Sequence, residues 1–266
     1  GASALDAAVT GANNVAVGYL AMTANTTGTE CVAVGSEALE ANTTGARNIA
    51  VGYRALEDNT TGDFNVAIGS YALPENTTGD NNVAVGRNAL RYNTTASNNV
   101  AVGHQALDAN TTGALNTGLG ANALQSNTTG GNNTAIGQGS LDANTTANNN
   151  TAIGTASLGS NTTGAQNTAV GAAAADAITT GAENTALGYA SLGDNTTGGY
   201  NVALGSRTLS ATSTASNNVA VGYGALTADT TGYHNAALGT NALGYNTGGN
   251  LNTAVGSAAL ARQTTA

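Results

Sequence analysis

Glycine recurs at Gly18, Gly35, Gly52, Gly69, Gly86, Gly103, Gly120, Gly137, Gly154, Gly171, Gly188, Gly205, Gly222, Gly239 and Gly256. The 17-residue interval between successive members never changes, without insertion or deletion, and Gly1 falls in the same register. The unit reads Asn-Val-Ala-Val-Gly-x-x-Ala-Leu-x-x-Asn-Thr-Thr-Gly-x-x, with Asn82 to Ser97 a good copy. A short unbroken period of this kind signals a solenoid, in which each unit is one coil and its neighbours supply the core. The expected fold is therefore all-β: a parallel β-solenoid (β-roll or β-helix) of about fifteen coils. The expected organisation is one uninterrupted repeat domain over 1–266, with a partial first repeat at 1–13 and a partial last repeat from 257.

The positions within the unit sort by physical demand. The residue before the glycine is always aliphatic (Val17, Val34, Val51, Ile68), and the residue two before that is aliphatic or Thr, as at Val83 and Thr134. Between them sits Ala, with Gly118 the one departure. Alternation of period two reads as a short strand. The two branched residues are expected to face the core, and the Ala to face outward against another surface. A second apolar column follows at Leu56, Leu73, Leu90 and Leu107. Helix is a poor alternative, since two glycines and an Asn-Thr-Thr per unit cost helix propensity and no apolar stripe of helical period survives.

Asn precedes the strand in every copy except at Cys31, and the series Asn48, Asn65, Asn82, Asn99 and Asn116 is expected to stack as an Asn ladder. Cys31 reads as a small substitute in that column. A second Asn opens each Asn-Thr-Thr. At Asn25, Asn42, Asn59 and Asn76 this matches the N-glycosylation acceptor pattern, although glycans on every rung would crowd one another and a second ladder explains the same spacing. Adjacent Thr columns also suggest an ice-binding solenoid, a weaker reading because neighbouring strand residues point to opposite faces.

Charged residues make up 8% of the chain, against about 25% in an average domain. All but Asp229 lie in the six variable positions, as do all the aromatics. The core is thus expected to be small and aliphatic, and Tyr53, Tyr71 and Arg54 are candidate contact residues on the loops. A net charge of −9 with no Lys gives no basic footprint for nucleic acid, and no apolar run is long enough to insert in a membrane.

Catalytic and metal chemistry find no foothold. His104 and His234 stand far apart, Cys31 is the single cysteine, and the Gly-rich loops lack the Lys of a phosphate cradle. No catalytic residue, cofactor or metal site is expected. The chain begins at the repeat glycine and ends in phase at Ala266, which raises the expectation of end-to-end stacking between copies.

Asn82-Val83-Ala84-Val85-Gly86-x-x-Ala89-Leu90 resembles the head repeat of YadA-like trimeric autotransporter adhesins and related repeats in phage tail fibres. The similarity spans nearly all of residues 13–262, with Asn-Thr-Thr-Gly added to each unit. It implies a parallel β-roll, often wound as a trimer, serving adhesion or fibre structure at the cell surface or on a virion. The expected function is a non-enzymatic extracellular structural protein that self-assembles into a fibre. The alternative is a trimeric adhesin head or tail-fibre shaft that binds a host surface glycan or protein. The expected partners are copies of itself and surface glycans.

Overall fold

The computed structural model describes residues 1–7 and 10–262. It contains β1 (Val15–Val17), β2 (Val32–Val34), β3 (Ile49–Val51), β4 (Val66–Ile68), β5 (Val83–Val85), β6 (Val100–Val102), β7 (Thr117–Leu119), β8 (Thr134–Ile136), β9 (Thr151–Ile153), β10 (Thr168–Val170), β11 (Thr185–Leu187), β12 (Val202–Leu204), β13 (Val219–Val221), β14 (Ala236–Leu238) and β15 (Thr253–Val255). No helix is found among the described residues. The chain divides into two compact units, Gly1–Asn132 and Asn133–Ala266. Within the first, β1 to β7 pair in sequence order; within the second, β8 to β15 do the same. Each pair is parallel and offset by one repeat, as in Val83↔Val100, Ala84↔Ala101 and Val85↔Val102. This is the β-solenoid that the glycine period predicts.

Each coil closes because three kinds of position cooperate. At the strand end Gly86 adopts φ 132°, a conformation open in practice only to glycine. A Cβ there would lie 2.5 Å from the carbonyl oxygen of Gly103 on the next rung. Beyond the corner, the backbone turns through left-handed residues that are not glycine. Asn88 has φ 59° and Leu90 φ 52°, and Asn81, ahead of the strand, has φ 57°. The same three positions repeat through the stack, for example at Gln105, Leu107 and Asn98. The cost of placing side chains in that region is of order 1 kcal/mol each. Hydrogen bonds between rungs offset it, such as Leu90 N–H to Ala106 O at 3.0 Å and Asn98 N–H to Asp80 O at 3.0 Å.

The orientation of the strands corrects the sequence reading. Ala33, Ala50, Ala67, Ala84 and Ala101 are fully buried, whereas the flanking branched residues are half-exposed or exposed. The alanines therefore face the core and the valines and isoleucines face outward, the reverse of the expectation. The reason is room. At Gly118 a Cβ would meet Leu107 Cδ1 at 3.5 Å and Ala123 O at 3.2 Å. A methyl fills that gap and a branched side chain would collide with the backbone opposite. The Leu column (Leu39, Leu56, Leu73, Leu90, Leu107) is buried as expected, together with the small residue before each Leu. The core of a typical coil is accordingly two small residues, one Leu and two Asn side chains.

Candidate functional site

The inversion leaves two aliphatic columns on the outer face of the strands. In Gly1–Asn132 the first strand position is Val or Ile from β1 to β6 and Thr at β7, and the third position is Val, Ile or Leu throughout. Val17 remains 55% exposed, Ile68 41% and Leu119 43%. In Asn133–Ala266 the third position is again wholly aliphatic, with Leu187 at 48% and Leu238 at 51%. The first position there runs Thr134, Thr151, Thr168, Thr185, Val202, Val219, Ala236, Thr253. No strand carries a charge. Single exposed apolar residues need no explanation, but contiguous apolar files bare of charge mark an interaction surface. The rims add to it: Phe64 and Leu115 lie two residues ahead of β4 and β7, and Tyr53 lies two residues after β3; all three are exposed.

The two Asn series are structural and differ in their chemistry. In the series before the strand, each side-chain oxygen accepts the backbone N–H of its successor: Asn65 N–H to Asn48 Oδ1 at 2.8 Å, Asn82 to Asn65 at 2.9 Å, Asn99 to Asn82 at 3.0 Å and Asn116 to Asn99 at 2.9 Å. Their Nδ2 groups donate to carbonyls further along the chain, as from Asn48 to Gly62 O at 2.7 Å. The side chain thus satisfies backbone groups at the two corners that the strand ladder leaves unpaired. Cys31 stands in this column with its thiol against Gly45 O at 3.4 Å, the carbonyl an amide would have reached. Burial pushes its pKa up, which keeps it a thiol.

In the first series Asn82 Nδ2 also reaches Asn65 Oδ1 at 3.2 Å; the second series is the more continuous amide-to-amide ladder. Asn42 Nδ2 donates to Asn25 Oδ1 at 2.9 Å, Asn59 to Asn42 at 2.9 Å, Asn76 to Asn59 at 2.8 Å, Asn93 to Asn76 at 3.0 Å and Asn110 to Asn93 at 2.9 Å. All are fully buried. The nitrogens of Asn25, Asn42, Asn59 and Asn76, at which a glycan would be attached, lie inside the coil and already donate, in keeping with the second ladder. In Asn133–Ala266 this column is interrupted by Ile178, Thr212 and Asp229. Asn161 Oδ1 and Asn195 Oδ1, each followed by one of those substitutions, are buried without a partner. Asp229 accepts from Gly232 N–H at 2.7 Å and Asn235 Nδ2 at 3.3 Å. Burial nevertheless raises its pKa, those hydrogen bonds opposing the shift.

Tyr53, Tyr71 and Arg54 do come together. The rings of Tyr53 and Tyr71 meet edge to face at 5.3 Å, and the Arg54 guanidinium lies 5.4 Å from the Tyr53 centroid and 6.0 Å from that of Tyr71. Arg54 also pairs with Glu37 and, at 3.6 Å, with Glu57. Glu37, Arg54 and Tyr71 occupy one column, each a single repeat from the next, and that spacing is the signal by which the cluster is legible in the sequence. The neighbouring column does the same, Arg47 bonding Glu30 at 2.9 Å and stacking on Phe64 at 5.1 Å. Glu37, Glu40 and Glu57 bring carboxylate oxygens within 4.8 Å of one another. Arg54 supplies countercharge to two of them, and desolvation raises the pKa of Glu57. Glu40 and Glu57, with Thr23, Ala24, Ala41 and Asp58, line an open groove of about 470 Å³. Such a surface offers aromatic edges, a cation and acceptors, the ingredients of polar ligand contact.

No helix is long and apolar enough to cross a membrane among the described residues. Comparisons with protein-family models, with curated proteins and with solved structures found no match.

Proposed function

We propose that this chain is a non-enzymatic structural segment of an extracellular fibre, and that copies of it associate side by side through the outer face of their strands. The observation that carries this reading is the uncharged outer face, whose third column is aliphatic on every strand and whose first column is aliphatic from β1 to β6. Sixteen outward side chains on β8 to β15 form one uncharged face, and a standard stable interface takes about 800 Å² from each partner. A second copy is the natural occupant for a geometric reason. The face repeats at the strand spacing of about 4.8 Å, and only a surface with the same repeat meets every rung alike. The resemblance to trimeric adhesin heads and tail fibres supports an assembled state, and the low charge with a fixed repeat supports a mechanical role.

Sedimentation velocity at micromolar concentration tests this, with circular dichroism as the folding control. The wild-type chain is expected to sediment as an oligomer, and Val85→Asp or Val221→Asp as a monomer of unchanged spectrum. A monomeric wild-type chain would remove the proposal. The Tyr53, Arg54 and Tyr71 cluster favours a second role for the same fibre, contact with host surface glycans. Loss of glycan-array binding in Tyr53→Ala/Tyr71→Ala, with sedimentation unchanged, would support it; an array without wild-type signal would dismiss it.

A further inference from the structure

Two residues past the end of each strand, beyond the corner glycine, Asn133–Ala266 carries a column in which aromatic and hydroxyl side chains alternate: Tyr189, Ser206, Tyr223, Thr240. We infer that this column is a binding strip for an extended, neutral β-1,4-linked polysaccharide lying along the stack. Backbone bonds hold the column at one residue per coil: the N–H groups of Arg207, Gly224 and Asn241 donate to Tyr189 O at 2.9 Å, Ser206 O at 3.3 Å and Tyr223 O at 2.9 Å. Both tyrosines are exposed. Among the described residues neither ring stacks on another, neither phenol is hydrogen-bonded, and the Ser206 and Thr240 hydroxyls are likewise without a partner. The same alternation stands in Gly1–Asn132 at Tyr19, Ser36, Tyr53 and Ser70, but there the Tyr53 ring is taken up by Tyr71 and Arg54. The strip at Tyr189 and Tyr223 is separate from that cluster, and it does not rest on the reading given for it.

A sugar ring offers two apolar C–H faces and a belt of hydroxyls. The C–H groups rest against the electron-rich face of an aromatic ring, while the hydroxyls take a few well-placed polar partners. Rungs are about 4.8 Å apart, so the two tyrosines repeat at about 10 Å along the stack. In an extended β-1,4-linked chain each ring is turned over relative to the last, and the repeating unit is a disaccharide of nearly that length. Every second sugar then meets a tyrosine, and the sugar between meets Ser206. An α-1,4-linked chain curls away from a straight file and meets one tyrosine at a time. The next column, Ala190, Arg207, Gly224 and Asn241, holds no carboxylate and offers guanidinium and amide donors to sugar hydroxyls. Asn241 also lines a groove of about 360 Å³ beside the strip. A net charge of −9 disfavours an anionic polymer.

Titration calorimetry of the full chain with cellohexaose and with chitohexaose tests this, with maltohexaose as the linkage control and circular dichroism as the folding control. At least one of the β-1,4-linked hexamers is expected to bind, and maltohexaose to bind about tenfold more weakly or less. Tyr189→Ala/Tyr223→Ala is expected to weaken the binding by about tenfold or more at unchanged spectrum. Ser206→Tyr/Tyr223→Ser keeps two tyrosines but sets them on neighbouring rungs, and it is expected to lose as much. The Tyr53→Ala/Tyr71→Ala chain is expected to bind these hexamers as wild type does, which tells this site from the other cluster. No binding of either β-1,4-linked hexamer, equal binding of maltohexaose, or full binding by Tyr189→Ala/Tyr223→Ala would overturn the assignment. So would a Tyr189→Ala/Tyr223→Ala chain that sediments as a monomer where wild type is an oligomer, since the two rings would then serve contact between copies.

Discussion

Asn93 and Asn195 occupy equivalent places in the buried amide column, and replacing each by Ala separates the hydrogen bonding of the ladder from its packing. Asn93 takes part in three bonds: its Nδ2 donates to Asn76 Oδ1 at 3.0 Å and Ala96 O at 3.1 Å, and its Oδ1 accepts from Asn110 Nδ2 at 2.9 Å. Removing it forfeits about 1 kcal/mol per bond and leaves Asn76 Oδ1 buried without a donor, a further penalty of about 1–3 kcal/mol. Asn93→Ala is thus expected to cost about 4–6 kcal/mol. Asn195 donates one bond, to Ala215 O at 3.1 Å, and its Oδ1 is already unpaired. Ala215 O keeps the Asn201 Nδ2 donor at 2.8 Å, and deletion of an orphaned acceptor offsets the lost bond. Asn195→Ala is expected to cost about 1 kcal/mol or less. Both side chains are fully buried, so the cavity contributions largely cancel in the comparison.

Stability in a stack of coils is local, and a single global midpoint would blur the difference. The assay is therefore native-state hydrogen exchange, read at the Thr94 amide, bonded to Thr111 O at 3.2 Å, and at the Thr196 amide, bonded to Ser213 O at 2.9 Å. A loss of about 4 kcal/mol appears as exchange accelerated about a thousandfold beside Asn93→Ala, and one of about 1 kcal/mol as less than tenfold beside Asn195→Ala. Equal acceleration at the two sites would refute the reasoning, since it would mean that the column is held by packing and not by its amides.

Gly86→Ala places a side chain at φ 132° and a Cβ 2.5 Å from Gly103 O; it is expected to lose more than about 3 kcal/mol in urea titration, and a wild-type midpoint would show that the corner yields. Asp229→Asn restores the repeat residue in a position where burial raises the carboxyl pKa. Because the folded pKa lies above the unfolded one, the folded state is favoured most below the ordinary Asp range and loses stability as pH rises through the elevated value. The variant is accordingly expected to be more stable than wild type at pH 7, with the gap narrowing as the pH falls through the elevated pKa and closed below about 4. Thermal melts across that range check both the sign and the window.

Much of this fold is legible in the residues because every rung asks the same thing of them. The 17-residue glycine period gives the coil, the Leu column gives the buried side, and an Asn at each corner signals a backbone group needing a partner. The phase of the strand is not legible from alternation alone. Val83-Ala84-Val85 alternates equally well with either face inward, and hydrophobicity favours the valines for the core. Clearance decides instead, and clearance depends on how close Leu107 and the Ala123 carbonyl stand to the strand opposite, a property of the closed coil. The left-handed conformation of Leu90 and its equivalents is hidden for a related reason: nothing in a Leu announces it, and it is imposed by closure. The Tyr53, Arg54 and Tyr71 cluster was visible as candidate residues, while their contact follows only once the repeats are stacked one coil apiece.

The inverted strand also explains why association and folding are expected to be linked in this chain. A coil whose interior holds Ala, a second small residue, Leu and two Asn buries little hydrocarbon for the length of backbone it orders. Its Val and Ile side chains, two per coil from β1 to β6, are held at the surface. Covering the ten outward Val, Ile and Leu side chains of β8 to β15, at about 1 kcal/mol each for partly exposed residues, is worth about 10 kcal/mol of gross transfer free energy, before the entropy of association is deducted. That reserve is comparable to the whole net stability of a typical domain, about 5–15 kcal/mol. A sequence that places its small residues inside and its branched residues outside therefore keeps a large part of its hydrophobic stabilisation for the contact between copies. Its apparent melting temperature should then rise with protein concentration, and the Val221→Asp chain, with that contact broken, should melt at one temperature across the same concentrations.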